Sequence, residues 1–118
     1  VNFHAEGCPS LNLDETEASH LYRIAQEALT NSARHGHATQ VDIILIAAEN
    51  TFLLRITDNG EGFRAPTSPY SGMGLKIMMY RAGMIGAKFE IASNGPRGKV
   101  VRVMGEQPPT ATITRSAR

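Results

Sequence analysis

Apolar residues recur at helical spacing from Ala18 through Leu21, Tyr22, Ala25, Ala28, Leu29 and Ser32-Ala33, and Asp14 with Glu17 just ahead of them forms a capping-box signature. The pattern predicts a long amphipathic helix that closes near His35, because Gly36 can take the left-handed conformation that ends a helix. Two β-branched or apolar runs follow, Val41 to Ala47 and Phe52 to Thr57, and the polar Glu49-Asn50-Thr51 between them predicts a hairpin. Residues 58–70 carry Gly60, Gly62, Pro66 and Pro69 with few large apolar side chains, and they read as an exposed, mobile loop. Helical spacing returns from Gly74 in Leu75, Met78, Met79, Ala82 and Ile85, with Gly86 placed to stop a second helix. Two further strands, Lys88 to Ser93 and Lys99 to Met104, are joined by Asn94-Gly95-Pro96-Arg97-Gly98, whose Asn-Gly start is a strong turn signal. Gln107 to Arg118 has no periodicity, so residues 1–106 predict one domain and 107–118 a disordered tail.

Helix, hairpin, loop, helix, hairpin is an α+β order, and amphipathic helices of this kind must cover one face of a sheet. The expected architecture is a two-layer α/β sandwich with a mixed, mostly antiparallel sheet. A chain of 118 residues has room for one such core. A formal charge of +1, with acids and bases interspersed, lacks the basic footprint of a nucleic-acid binder. The single Cys8 excludes an internal disulfide framework and a cysteine-pair zinc site, and fits a reducing compartment. No apolar run approaches the roughly 20 residues of a membrane helix, and the N-terminus lacks a signal-peptide pattern, so the domain itself is expected to be cytoplasmic, without membrane contact. The opening Val1-Asn2-Phe3-His4 has no initiator methionine and reads as a piece of a longer protein, whose tethering lies outside this fragment.

Three groups of residues carry candidate chemistry. On the first helix Glu27, Asn31 and Arg34 form a polar stripe opposite the Leu21, Ala25, Leu29 and Ser32 side; His20 and Arg23 extend it, His35 lies at its edge, and Ile24 breaks it as a pocket wall would. Such a stripe alone is what any solvated helix face presents. Asp58 ends a strand in which Phe52, Leu54 and Ile56 alternate, so the pleat carries its carboxylate to their side. A half-buried acid there needs a donor, such as the exocyclic amine of adenine, with Gly60 and Gly62 allowing close backbone approach. Alone, Asp-Asn-Gly is ordinary turn chemistry. Gly72-Met73-Gly74-Leu75 opens the second helix, where free backbone amides and the dipole favour a phosphate. It lacks the lysine of a phosphate loop and the preceding strand of a dinucleotide fold.

Together these segments resemble the catalytic domain of sensor histidine kinases, particularly those related to the nitrate and nitrite sensors. Arg23 to His35 is similar to their N box, Asp58-Asn59-Gly60-Glu61-Gly62-Phe63 to the first glycine box and Gly72-Met73-Gly74-Leu75 to the second, in the same order and spacing. The resemblance implies the Bergerat ATP-binding fold shared with gyrase, Hsp90 and MutL ATPases, ATP and Mg²⁺ as cofactors, and phosphoryl transfer in two-component signal transduction. It implies that Asp58 takes the adenine amine, Asn31 ligates Mg²⁺, Arg34 contacts phosphate, His35 borders the phosphate site and Glu27 is the catalytic base. Gly60, Gly62, Phe63, Gly72, Met73, Gly74 and Leu75 would line the ATP site, and residues 64–71 would be its lid. The implied partners are the helical dimerisation domain of the same kinase, which carries the phosphoacceptor histidine, and indirectly a response regulator. None of His4, His20, His35 or His37 sits in a phosphoacceptor-like context. A standalone anti-sigma-type serine kinase, or an interaction module of this fold that has lost nucleotide binding, are the alternatives. Two departures stand out. The family's Gly-Thr in the late strand is here Gly98-Lys99-Val100, which alters the expected adenine geometry, and its Gly-Gly after the second helix is Gly86-Ala87.

Overall fold

The computed structural model describes residues 2–6, 13–34, 37–48, 50–60, 73–95 and 98–107. The elements run β1 (Asn2–Glu6), α1 (Glu15–Arg34), β2 (Val41–Ala47), β3 (Thr51–Asp58), α2 (Met73–Met84), β4 (Lys88–Ser93) and β5 (Lys99–Glu106). The strands form one mixed sheet in the order β1-β2-β3-β5-β4, antiparallel except for the parallel β1–β2 pair. This is the expected α+β two-layer sandwich.

Both helices end as their residues dictate. At the start of α1 the Asp14 amide donates to Glu17 Oε1 at 3.0 Å while the Glu17 amide donates to Asp14 Oδ1 at 2.7 Å, the reciprocal pair of a capping box. Glu15 and Glu17 in the first turn and Arg34 in the last complement the helix dipole. Beyond α2, Gly86 has φ 67°, the Ala87 amide donates to the Ala82 carbonyl at 2.8 Å and the Gly86 amide to that of Gly83 at 3.1 Å. Those two bonds are a Schellman closure around a left-handed glycine.

One apolar layer joins the elements: Leu21, Ile24 and Ala28 from α1, Met78 and Ala82 from α2, and Val41, Ile43, Phe52, Leu54, Ile56, Val101 and Val103 from the sheet. The opposite sheet face carries Asp42, Ile44, Arg55, Thr57 and Arg102 along an open depression. That division follows from strand parity, since alternate residues of β3 are buried from Phe52 to Asp58.

Several expectations need correction. β1 was not foreseen: Phe3, His4 and Ala5 are exposed, so it carries no apolar alternation to read and joins the sheet through its ladder with β2. β5 runs to Glu106 rather than Met104; Gly105 pairs with Phe52 in the ladder, and glycine fits there because a Cβ would lie 2.5 Å from the Phe52 ring. Gln107 is not tail; it is buried, its amide nitrogen donates to the Ala48 carbonyl at 2.7 Å, and its backbone amide donates to Asn50 at 2.9 Å. Of the exposed loop expected over 58–70, Asp58 is instead the last residue of β3 and it and Gly60 are buried, while 61–70, like residues 108–118, expected to be disordered, lie outside the described residues.

Candidate functional site

The site begins at the end of β3. Asp58 shares the core face with Phe52, Leu54 and Ile56, as its parity predicts, and is 3 % exposed. A bare carboxylate so placed would be strongly unfavourable, so its oxygens must find donors. Oδ1 accepts the Gly60 amide at 3.0 Å and the Lys99 amide at 3.1 Å. Oδ2 accepts the Ser32 hydroxyl at 2.5 Å and the Lys99 ammonium at 2.6 Å. The ammonium also donates to Ser32 Oγ at 3.0 Å, closing a buried triangle between β3, β5 and α1. Burial raises the Asp58 carboxyl, but the Lys99 hydrogen bond, then Ser32, then Gly60 and the Lys99 charge together outweigh it, so its pKa lies below the ordinary 3.8.

Two neighbours make this corner geometrically demanding. Gly98 has φ 93°, and a Cβ there would meet the Asp58 carbonyl oxygen at 2.0 Å. Only glycine lets β5 start so close to the end of β3. Asn59 faces the other way: its side-chain oxygen accepts the Thr39 and Gln40 amides, each at 3.0 Å, and pins the segment before β2 to the same strand end. The middle residue of the Asp-Asn-Gly triplet is therefore structural.

The second cluster lies where α2 begins. Asn31 is 4 % exposed and Glu27 half-buried, so this part of the polar stripe is covered, while Arg23 and Arg34 at its ends are exposed. A Cβ on Gly74 would fall 2.7 Å from Glu27 Oε2, 2.9 Å from Asn31 Nδ2 and 3.2 Å from Asn31 Oδ1. The glycine lets the first turn of α2, which holds no acidic residue, sit directly on these two side chains. An amide, a carboxylate and a helix N-terminus converge there, and Asn31 is the chain neighbour of Ser32, which donates to Asp58. The helices are linked further along by Arg81 and His20, 3.3 Å apart.

Of the residues expected in the site, the structure brings Asp58, Gly60, Asn31, Glu27 and Gly74 to this region. Leu75 packs on the core, Met73 opens α2, and Arg34 is exposed in the last turn of α1. His35, Gly62, Phe63, Gly72 and the segment 64–71 lie outside the described residues. Sequence reasoning missed Ser32, which was assigned to the apolar side of α1, and read Lys99 only as a departure from a pattern. A usable signal existed in the alternation Lys99, Val101, Val103, which puts the lysine on the core face of its strand.

Among the described residues no three His, Cys, Asp or Glu side chains gather as a metal site, and no helix is long and apolar enough to cross a membrane. Residues 16–108 match the family described as histidine kinase-, DNA gyrase B- and HSP90-like ATPase. Among curated proteins, the chain is 45 % identical over 84 residues to the sensor protein VraS of Staphylococcus saprophyticus and 43 % identical over 84 residues to that of Staphylococcus aureus. Each alignment takes in 71 % of this chain and 24 % of the relative, so the chain matches about a quarter of their length. Among solved structures, the histidine kinase domain of the Erythrobacter litoralis EL346 blue-light activated histidine kinase superposes with a TM-score of 0.66 at 16 % identity. That superposition covers 96 % of this chain and 57 % of that one. The Acinetobacter baumannii histidine kinase AdeS superposes with a TM-score of 0.63 at 15 % identity, over 75 % of this chain and 46 % of that one.

Proposed function

Because this chain belongs to the histidine kinase-, DNA gyrase B- and HSP90-like ATPase family, we propose that it binds ATP with Mg²⁺ between α1, the start of α2 and the end of β3, as the catalytic domain of a sensor histidine kinase. The observation that carries this reading is the close approach of Gly74 to Glu27 and Asn31, which sets the first turn of α2 over a buried amide next in the chain to Ser32, the partner of a buried aspartate. ATP supplies the γ-phosphoryl group, and Mg²⁺ neutralises charge on the phosphates during transfer. Asn31 would offer one oxygen to the ion, a donor that suits the preference of Mg²⁺ for oxygen ligands. The α2 amides and dipole hold phosphate oxygens. Asp58 accepts a hydrogen bond from the base and so fixes which end of the nucleotide enters. Glu27, beside Asn31 at the α2 terminus, receives the proton released by the attacking histidine.

The acceptor is a histidine on a separate helical dimerisation domain of the same kinase, and the phosphoryl group passes from there to a response regulator. Calorimetric titration with ATP and Mg²⁺ tests the site: saturable binding is expected, and Asp58→Asn should abolish it. No response at millimolar ATP refutes the reading, and wild-type affinity in Asp58→Asn means that the base lies elsewhere.

A further inference from the structure

The Asp58 carboxylate has room for about four hydrogen bonds, two to each oxygen. All four positions are filled from within the protein: the Gly60 and Lys99 amides on Oδ1, and the Ser32 hydroxyl and Lys99 ammonium on Oδ2. An incoming base amine therefore meets a carboxylate already saturated with donors. The two backbone amides belong to the strand corner, where Gly98 leaves no slack, and Ser32 is fixed on α1 with its side chain fully buried. The ammonium is the movable donor, since it ends a flexible four-carbon stem. It is also the costly one to move, because its side chain is 2 % exposed and its 2.6 Å contact with Asp58 is charge-assisted.

We propose that Lys99 is an internal competitor for the purine: its ammonium occupies the acceptor on Asp58 that the base amine requires, and this self-contact sets the affinity of the site. The proposal rests on the nucleotide-binding reading above. In this protein, base binding is an exchange of one donor for another at Oδ2 rather than the capture of an open acceptor. Weak binding follows, together with a dependence on whatever draws the ammonium away.

Lys99→Thr is the direct test, since threonine suits a strand position and its side chain is too short to take the ammonium's place. Affinity for ATP and for GTP is measured by calorimetry on wild type and variant, with folding followed by circular dichroism. We expect the variant to bind ATP at least about tenfold more tightly, the equivalent of one hydrogen bond to a charged group. GTP should gain nothing, because it presents a carbonyl where adenine presents an amine. Should loss of the ion pair leave Lys99→Thr unfolded without ligand, ATP is expected to refold it, because the base amine then supplies the missing donor, and the same affinity is read from the refolding curve. A variant that binds ATP no better than a wild type that does bind it overturns the proposal and leaves the site reading intact. Equal gains for ATP and GTP, or a variant that stays unfolded in millimolar ATP, also overturn it. Silence from both proteins removes the proposal together with the reading beneath it.

Discussion

Replacing Lys99 by methionine keeps most of the buried stem and deletes the ammonium that lies 2.6 Å from Asp58 Oδ2, at a place where both side chains are 2 % exposed. With an effective dielectric of about 20, two unit charges at that separation attract by roughly 6 kcal/mol. Withdrawing the two ions from water costs several kcal/mol each, so the intact pair adds little net stability. Half a pair is another matter. Lys99→Met leaves a carboxylate in the core with only the Ser32, Gly60 and Lys99-backbone donors, and should cost about 3–5 kcal/mol. Asp58→Asn strands the ammonium and should cost a similar amount. The double variant removes both charges, while the new amide oxygen still accepts the Gly60 and residue-99 backbone amides and its nitrogen can donate to the Ser32 hydroxyl, so its cost should stay below about 2 kcal/mol. Urea denaturation followed by circular dichroism gives each value, provided the slope of the transition is unchanged. A strongly favourable coupling between the two sites is the expected outcome. If the single costs simply add, the pair is not what joins the end of β3 to the start of β5, and the account of this corner is wrong.

Two further predictions follow from the same geometry. Gly74→Ala places a methyl within 2.7 Å of the Glu27 carboxylate and 2.9 Å of the Asn31 amide, so the ends of those two side chains must move, Asn31 within a buried setting. Thermal melts should show a loss of about 1–3 kcal/mol, as overpacking does, and calorimetry should show weaker ATP binding; an unchanged affinity would separate Gly74 from the phosphate site. Because the Asp58 carboxyl lies below its ordinary 3.8 in the fold, the stability it contributes is fully present above about pH 4 and is lost as pH falls through the lowered native value. The melting temperature of the wild type should therefore drop on acidification below about pH 4, and Asp58→Asn should lack that part of the decline; a variant with the same acid limb would assign it to other carboxylates.

Much of the fold was written in the sequence because it depends on neighbours along the chain. The Asp14–Glu17 cap, the Gly86 closure, the Asn94-Gly95 turn and the core-side parity of Asp58 each follow from a few consecutive residues and their dihedral or hydrogen-bond preferences. What periodicity reports is which side of an element is apolar, not which element lies against it. β1 escaped notice because its exposed side chains carry no such signal, and Gln107 because its partners, Ala48 and Asn50, are distant in sequence. Asn31 reads as solvated until α2 is seen to pack over it through Gly74. Strand order decided the rest. Only the pairing of β3 with β5, with Thr57 opposite Val100, sets Asp58 beside Lys99, and only the seating of α1 on that sheet brings Ser32 between them. The candidate residues Asn31, Asp58, Gly60 and Gly74 were therefore legible along the chain as polar or glycine positions. The contact of Lys99 with the Asp58 carboxylate became visible only in three dimensions, because it joins residues 41 positions apart.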